Sequence, residues 1–357
     1  MERKLTELCD IQYGYAFDSA CFTEDDSYLP LVRIRDVLRG YSETYYAGEY
    51  PKEYVLHAGD LLIGMDGEFN IARWNSRDAL LNQRVCKVIA KEGTSEEYLR
   101  FALSKALKEI ESRTAFVTVK HLSAKELNKL VLDIPMYSEQ VRIAETVSKI
   151  ELIISARQQQ LQKLDELIKA RFVEMFGTYP ANEKGWDVGT IRDLVTEVRY
   201  GSSRKAADGM NGKYPYLRMN NITYGGELDL SDTKTIDVPD DELAKCMVRK
   251  GDVLFNRTNS KELVGKTCVY NMDTPMVLAG FVVRVRVNER ILPEILSGFL
   301  NTDFSKQMLL GMCKAAIGQA NINAQELQNI GIYIPPIELQ KEFVAFKQHL
   351  DKSKVVA

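Results

Sequence analysis

The feature that most constrains this chain is that it is written twice. Tyr13-Gly14 recurs as Tyr200-Gly201, and Leu29-Pro30-Leu31-Val32-Arg33-Ile34-Arg35-Asp36-Val37 recurs as Tyr214-Pro215-Tyr216-Leu217-Arg218-Met219-Asn220-Asn221-Ile222. Ala58-Gly59-Asp60-Leu61-Leu62-Ile63 answers to Lys250-Gly251-Asp252-Val253-Leu254-Phe255, in both cases a turn that launches an apolar strand. Leu122-Ser123-Ala124-Lys125-Glu126-Leu127 pairs with Ile322-Asn323-Ala324-Gln325-Glu326-Leu327, and Ile134-Pro135 with Gln140 matches Ile334-Pro335 with Gln340. The matches keep their order at an offset of about 185 to 200 residues, far beyond the roughly 20 to 50 residues of a solenoid unit. Two similar domains follow, and 357 residues suffice for them.

Each copy mixes short β-branched and aromatic runs (85–89, 281–287) with helical stretches (97–110, 293–310), bounded by Gly, Asn and Asp clusters, which predicts an α+β fold. Residues 138–176 differ in kind. Ile143, Val147, Ile150, Ile154, Leu161, Leu164, Ile168 and Met175 recur by threes and fours, interrupted by Arg157 and Arg171, with no proline or glycine before Gly177. This is a coiled-coil-like helix of about 39 residues, on the order of 58 Å. A shorter helix of about 20 residues is expected after Ile334-Pro335-Pro336 and would pack on part of the longer one. The expected division is therefore 1–137 and 178–336 for the two globular domains, 138–177 for the central helix and 337–357 for the C-terminal helix.

Composition narrows the function classes. A net charge of −3 excludes a globally basic, non-specific nucleic-acid binder but leaves room for local basic loops. The six cysteines are scattered without a C-x-x-C and only three histidines exist, so no metal site is expected and the thiols should be free and mostly buried. No stretch reaches the roughly 18 to 20 apolar residues of a membrane span, and the start MERKLTELCD lacks the apolar run of a signal peptide. A soluble cytoplasmic protein without membrane contact is expected.

A self-contained enzyme is the main rival class. An adenine methyltransferase should carry an Asn/Asp-Pro-Pro-aromatic motif, yet the only Pro-Pro lies in Ile334-Pro335-Pro336-Ile337. No G-x-G-x-x-G occurs, and Gly265-Lys266-Thr267 lacks the upstream glycine of a phosphate loop, Ser260 standing in its place. Pro239-Asp240 has no Asp/Glu-x-Lys downstream at a nuclease-like distance. A methyltransferase or nuclease acting alone is disfavoured. A coiled-coil adaptor without sequence readout is the other alternative, and it leaves two elaborate domains with divergent loops unexplained.

Along essentially the whole chain the pattern resembles the specificity subunit of type I restriction-modification enzymes. The resemblance is carried by the ordered, duplicated Gly-Asp strand starts, the His121-Leu122-Ser123 and Asn321-Ile322-Asn323 helix entries followed by Glu-Leu, and the Ile-Pro...Gln entries into the two helices. Met175-Phe176-Gly177 leading through Lys184-Gly185-Trp186 into the second copy completes it. The resemblance implies two target recognition domains held apart by the helices, each reading one half of a split, asymmetric site in double-stranded DNA. It implies two docked copies of an adenine-methyltransferase subunit, and leaves open whether restriction (nuclease and translocase) subunits join them or the partners only methylate. No cofactor is implied on this chain; S-adenosylmethionine, ATP and Mg belong to the partners, and no catalytic or metal site is expected here. One departure is the short C-terminal helix region, which leaves open how fully the two helices pair and whether both docking surfaces are equivalent.

Bases are read by side chains that reach base edges, Arg or Lys to guanine and Asn or Gln to adenine, while phosphate contacts position the protein. Loops that differ between the copies are the first place to look, because the half-sites differ. After the Gly-Asp strands these are Met65 to Trp74, with Asn70 and Arg73, and Asn256 to Lys266, with Arg257, Asn259, Lys261 and Lys266. Either they contact DNA or they are ordinary polar hairpin loops. Arg33 and Arg35, matched by Arg218 and Asn220, stand two apart and would share one strand face, suited to phosphates or to structural ion pairs. Lys120-His121 and Gln319 with Asn321 precede Ser123 and Asn323, which read as helix N-caps, so DNA contact and capping both remain open there. Arg204 and Lys205 are loop charges, DNA-contacting or simply solvated.

Overall fold

Both Gly-Asp turns build strands, and the aspartate is what locks each turn. Asp60 accepts from the His57 N–H at 2.8 Å and Asp252 from the Arg249 N–H at 2.9 Å, Asx-type bonds that end one segment and release the next as a strand. A computed structural model describes residues 1–113, 120–206, 211–260, 263–313 and 320–356. Its chain forms two compact units, Met1–Ser155 and Ala156–Ala357. Each is α+β.

In the first unit the buried strand Leu61–Gly64 lies between Val85–Ala90 and Asn70–Arg73, with Cys9–Tyr13 on the far side of Val85–Ala90. In the second, Val253–Asn256 lies between Val282–Val287 and Thr267–Val269, with Val195–Tyr200 at the edge. All these pairs are antiparallel. A second sheet in each unit carries one parallel pair: Leu29–Val32 with Ala79–Leu81, and Tyr214–Leu217 with Met276–Leu278. The duplicated sequence is thus a duplicated topology. The repeated Tyr-Gly is forced by close backbone approach, since a Cβ on Gly14 would stand 2.0 Å from the Asn82 carbonyl oxygen and one on Gly201 2.2 Å from that of Leu278.

The cores repeat as well. Leu61, Ile63, Leu99, Leu103, Leu122 and Leu127 are buried together in the first unit, and Val253, Phe255, Ile295, Phe299, Ile322 and Leu327 in the second. Cys9, Cys86, Cys246 and Cys268 are buried free thiols. No described helix is long and apolar enough to cross a membrane.

The run without proline or glycine forms one helix, Tyr137–Phe176, of 40 residues, about 60 Å long. It stops at Gly177, whose φ of 83° only glycine takes freely and whose N–H returns to the Val173 carbonyl at 2.8 Å. The C-terminal helix, Ile337–Val356, packs antiparallel on its last turns within the second unit. Phe343 meets Phe172 and Phe176 edge-on at 5.2 and 5.6 Å, Arg171 lies over the Phe346 ring, and Lys354 reaches Asp165. These contacts fall on the stretch Asp165 to Phe176. Of the expected seam, Ile168 and Met175 pack into the second core, whereas Ile150 and Ile154 are exposed.

The structure corrects one reading of the strand ends. Arg33 with Arg35 and Arg218 with Asn220 do not share a strand face. The strands stop at Val32 and Leu217, and the buried side chains of Asp36 and Asn221 accept the Arg33 and Arg218 N–H groups at 2.9 and 2.8 Å. Those bonds turn the chain into a short α-helix (Ile34–Arg39) and a 3-10 turn (Met219–Asn221), where residues two apart point in different directions.

Candidate nucleic-acid interface

Ser123 and Asn323 are N-caps. Ser123 Oγ accepts from the Glu126 N–H and Asn323 Oδ1 from the Glu326 N–H, while each glutamate accepts the cap residue's own N–H at 2.9 Å. Immediately before each cap the chain pairs with the segment that follows the Gly-Asp strand. In the second unit Thr258–Asn259 runs antiparallel to Ala320–Asn321, with Thr258 opposite Asn321. In the first, Asp66 stands opposite His121 in a single bridge.

The backbone frame of the two is the same. The Met65 N–H donates to the Arg84 carbonyl at 3.0 Å and the Leu122 N–H to that of Met65 at 2.7 Å. The Arg257 N–H donates to the Phe281 carbonyl at 3.0 Å and the Ile322 N–H to that of Arg257 at 2.9 Å. Met65 therefore corresponds to Arg257, Asp66 to Thr258, Arg84 to Phe281 and His121 to Asn321. Residues that the sequence presents as two separate sets are one site in each unit.

The side chains on this common frame differ. In the second unit Arg257 Nε donates to Asn321 Oδ1 at 3.3 Å and the guanidinium lies over the Tyr200 ring, 4.8 Å from its centre. The ring is held by its hydroxyl, which accepts from the Ala324 N–H at 2.9 Å. Asn259 Oδ1 accepts from the Ser260 N–H, and Phe281 stands exposed beside it all. In the first unit His121 Nδ1 meets Asp66 Oδ1 at 2.5 Å, Arg84 Nε lies 3.4 Å from Asp66 Oδ2, and Lys120 pairs with Glu111 at 2.9 Å. One site is aromatic and amide-lined; the other is a small charge cluster.

Other expected contacts are drawn elsewhere. Arg73 sits within the strand Asn70–Arg73, not in a loop, and its guanidinium is filled by Glu96 Oε1 at 2.6 Å, Glu97 Oε2 at 2.8 Å and the Gly59 carbonyl at 2.8 Å. Asn70 opens that strand and closes the hairpin onto the Glu68 carbonyl at 3.2 Å. Lys266 is only 8% exposed and donates to the Met219 carbonyl at 3.0 Å; burial pulls its ammonium below the usual lysine range. Arg73 and Lys266 thus have their cationic heads engaged by carboxylates and backbone carbonyls of their own units. Arg204 pairs with Glu242 at 2.7 Å, Arg218 with Asp232 at 2.7 Å, and Arg35 bonds Thr44 Oγ1 at 3.2 Å. Arg33, Lys205 and Asn220 are exposed with no side-chain partner among the described residues. Lys261 and Gln319 lie outside the described residues.

Sequence reasoning missed Asp66, Arg84, Tyr200 and Phe281. Arg84 and Phe281 could have been found by aligning the copies around Asn82-Gln83-Arg84-Val85 and Ala279-Gly280-Phe281-Val282, where strands that are alike flank a residue that is not.

The type I restriction modification DNA specificity domain model matches residues 1–166 and again 183–355. The type I restriction enzyme EcoBI specificity subunit of Escherichia coli is 28% identical over 369 residues, spanning 95% of this chain and 77% of that one. The crystal structure of the type I restriction-modification S subunit from M. genitalium shares the fold, with a TM-score of 0.55 at 16% identity over 99% of this chain and 90% of that one. So does a chain solved for complex assembly and conformational transition of the type I R-M system, with a TM-score of 0.52 at 17% identity over 100% and 91%. Matched twice, once on each copy of its internal repeat and together over nearly its whole length, this chain belongs to the type I restriction modification DNA specificity family.

Proposed function

We propose that this protein reads the sequence of a split, asymmetric double-stranded DNA target for a type I restriction-modification complex and carries no catalytic centre of its own. The observation that carries this reading is the pair of sites just described: one backbone frame, built twice, bearing different side chains at Met65 and Arg257, Asp66 and Thr258, Arg84 and Phe281, and His121 and Asn321. A duplicated frame with divergent readers is what a target with two unlike halves demands. Arg257, Asn259 and Asn321 read one half. Lys120 and His121 stand at the other, and Arg33, Lys205 and Asn220 are phosphate-positioning groups. The long helix, with its exposed Ile150, Leu152, Ile153 and Ile154, docks two methyltransferase subunits, and a restriction subunit joins them. S-adenosylmethionine, ATP and Mg act on those partners.

Methylation mapping of host DNA tests this. With the chain co-expressed beside its methyltransferase, adenine methylation should appear at one bipartite motif and vanish when the chain is omitted. Methyl transfer by the purified chain alone, abolished by a point mutation within it, would sink the non-catalytic reading.

A further inference from the structure

Each unit holds in its site an arginine whose Nε faces a side-chain oxygen, and the two arginines enter from different segments of the frame. In the second unit it is Arg257, tied through Nε to Asn321 Oδ1. The corresponding position in the first unit is Met65, which is buried and cannot play that part. Arg84 takes its place from the neighbouring strand start. Its Nε faces Asp66 Oδ2 at 3.4 Å, its side chain is 51% exposed, and its two terminal nitrogens have no partner among the described residues.

Asp66 is itself held. Its other oxygen is taken by His121 Nδ1 at 2.5 Å, and the segment is fixed by the Gly67 N–H donating to the Lys120 carbonyl at 2.9 Å. Asp66 is 21% exposed and His121 47%, so the carboxylate lies behind its two partners. The Asp66–Arg84 contact is an ion pair, and with Nε turned to the carboxylate the two terminal amino groups of Arg84 are left as an open fork, the geometry that matches N7 and O6 of guanine. A phosphate anchor needs only charge; an open fork suits a planar two-acceptor edge.

We propose that Arg84 is a specificity-determining residue, reading a guanine in the half-site of the first unit, with Asp66 as its positioning residue and His121 pinning Asp66. The proposal rests on the sequence-reading function above. It also states why the halves differ: the guanine-reading fork enters the frame from the 84 position in one unit and from the 257 position in the other, so the guanine falls at a different place relative to each domain.

The test uses the complex of this chain with its methyltransferase, its motif mapped by methylation of host DNA. The half-site that Arg257→Ala leaves untouched is assigned to the first unit. Arg84→Gln and Arg84→Lys should each relax a single guanine in that half, by roughly 5- to 150-fold in discrimination, the equivalent of one bidentate base contact. Asp66→Asn should relax the same position while keeping the arginine. In the unmodified complex, 7-deazaguanine placed at each guanine of that half in turn should weaken binding at one position, a readout that needs no variant to fold. The proposal is overturned if Arg84→Lys keeps the motif intact, if Arg84→Gln lowers methylation evenly over all sites, if the relaxed base is not a guanine, or if no 7-deazaguanine weakens binding. A complex of the unmodified chain with no sequence preference brings down the sequence-reading function and this proposal together, whereas a preserved preference that Arg84→Lys leaves unchanged brings down this proposal alone.

Discussion

Gln340 accepts the Leu292 N–H through Oε1 at 2.8 Å and donates through Nε2 to the Pro335 and Arg290 carbonyls, so one fully buried amide clamps the start of the C-terminal helix to the start of the helix Pro293–Leu300. Gln140 does the same in the first unit, accepting the Ser95 N–H at 2.9 Å and donating to the Pro135 carbonyl at 3.0 Å. Only an amide offers an acceptor and donors on one short stem. Gln340→Leu strands these backbone groups at about 1–3 kcal/mol each, and urea unfolding should show the loss. Gln340→Glu, which at neutral pH would set a buried carboxylate against the Pro335 and Arg290 carbonyls, should cost at least as much as Gln340→Leu. Equal stability of all three chains would remove the clamp from the account.

Arg257→Ala should weaken recognition of one half-site by about 1–3 kcal/mol, the worth of a bidentate base contact, and leave the other half untouched. The side chain is held by Asn321 and stacked on Tyr200, both in the second unit. Footprints over both halves measure it. Equal losses on the two halves would assign Arg257 to folding or to phosphates.

Arg73→Ala should lower stability and leave the target motif as it is. Arg73 ties the sheet to Glu96 and Glu97, and Glu97 continues through Arg100 to Glu151 on the long helix. The network is about a third exposed, so solvent screening limits the expected cost to about 1–2 kcal/mol. Chemical denaturation checks the first half of the prediction and methylation mapping the second; an altered motif would return Arg73 to the DNA interface.

Lys306 supplies a pH dependence. Burial, with Lys169 and Lys266 adding like charge, brings its ammonium down to about 8 from 10.5, although it donates to the Gly265 carbonyl at 2.8 Å. Below pH 8 it is charged in both folded and unfolded chains, so the burial penalty is fully present. Between pH 8 and 10.5 the folded chain sheds the proton first, and this group's contribution to stability rises with pH. Lys306→Met should therefore be more stable than the parent at pH 7 by about 1–3 kcal/mol, and the difference should close toward pH 10.5. A difference constant with pH would show that the amine is not the source.

The sequence by itself determined whatever is local or duplicated. The Gly-Asp turns, the Ser123 and Asn323 caps, the helix that ends at Gly177 and the α+β repeat each depend on residues a few positions apart, or on a second copy of the same few. Family membership followed from their order. Tertiary structure alone decided which charges are free. Asp66 and His121 are 55 residues apart and Arg257 and Asn321 are 64 apart, so no spacing announces that they share a site. Arg73 and Lys266 look like loop cations until the fold sets carboxylates and backbone carbonyls of their own units against them, and Arg33 leaves its strand because the Asp36 side chain takes its N–H. A charged side chain's role is set by what stands opposite it, and that partner comes from wherever the fold brings the chain back.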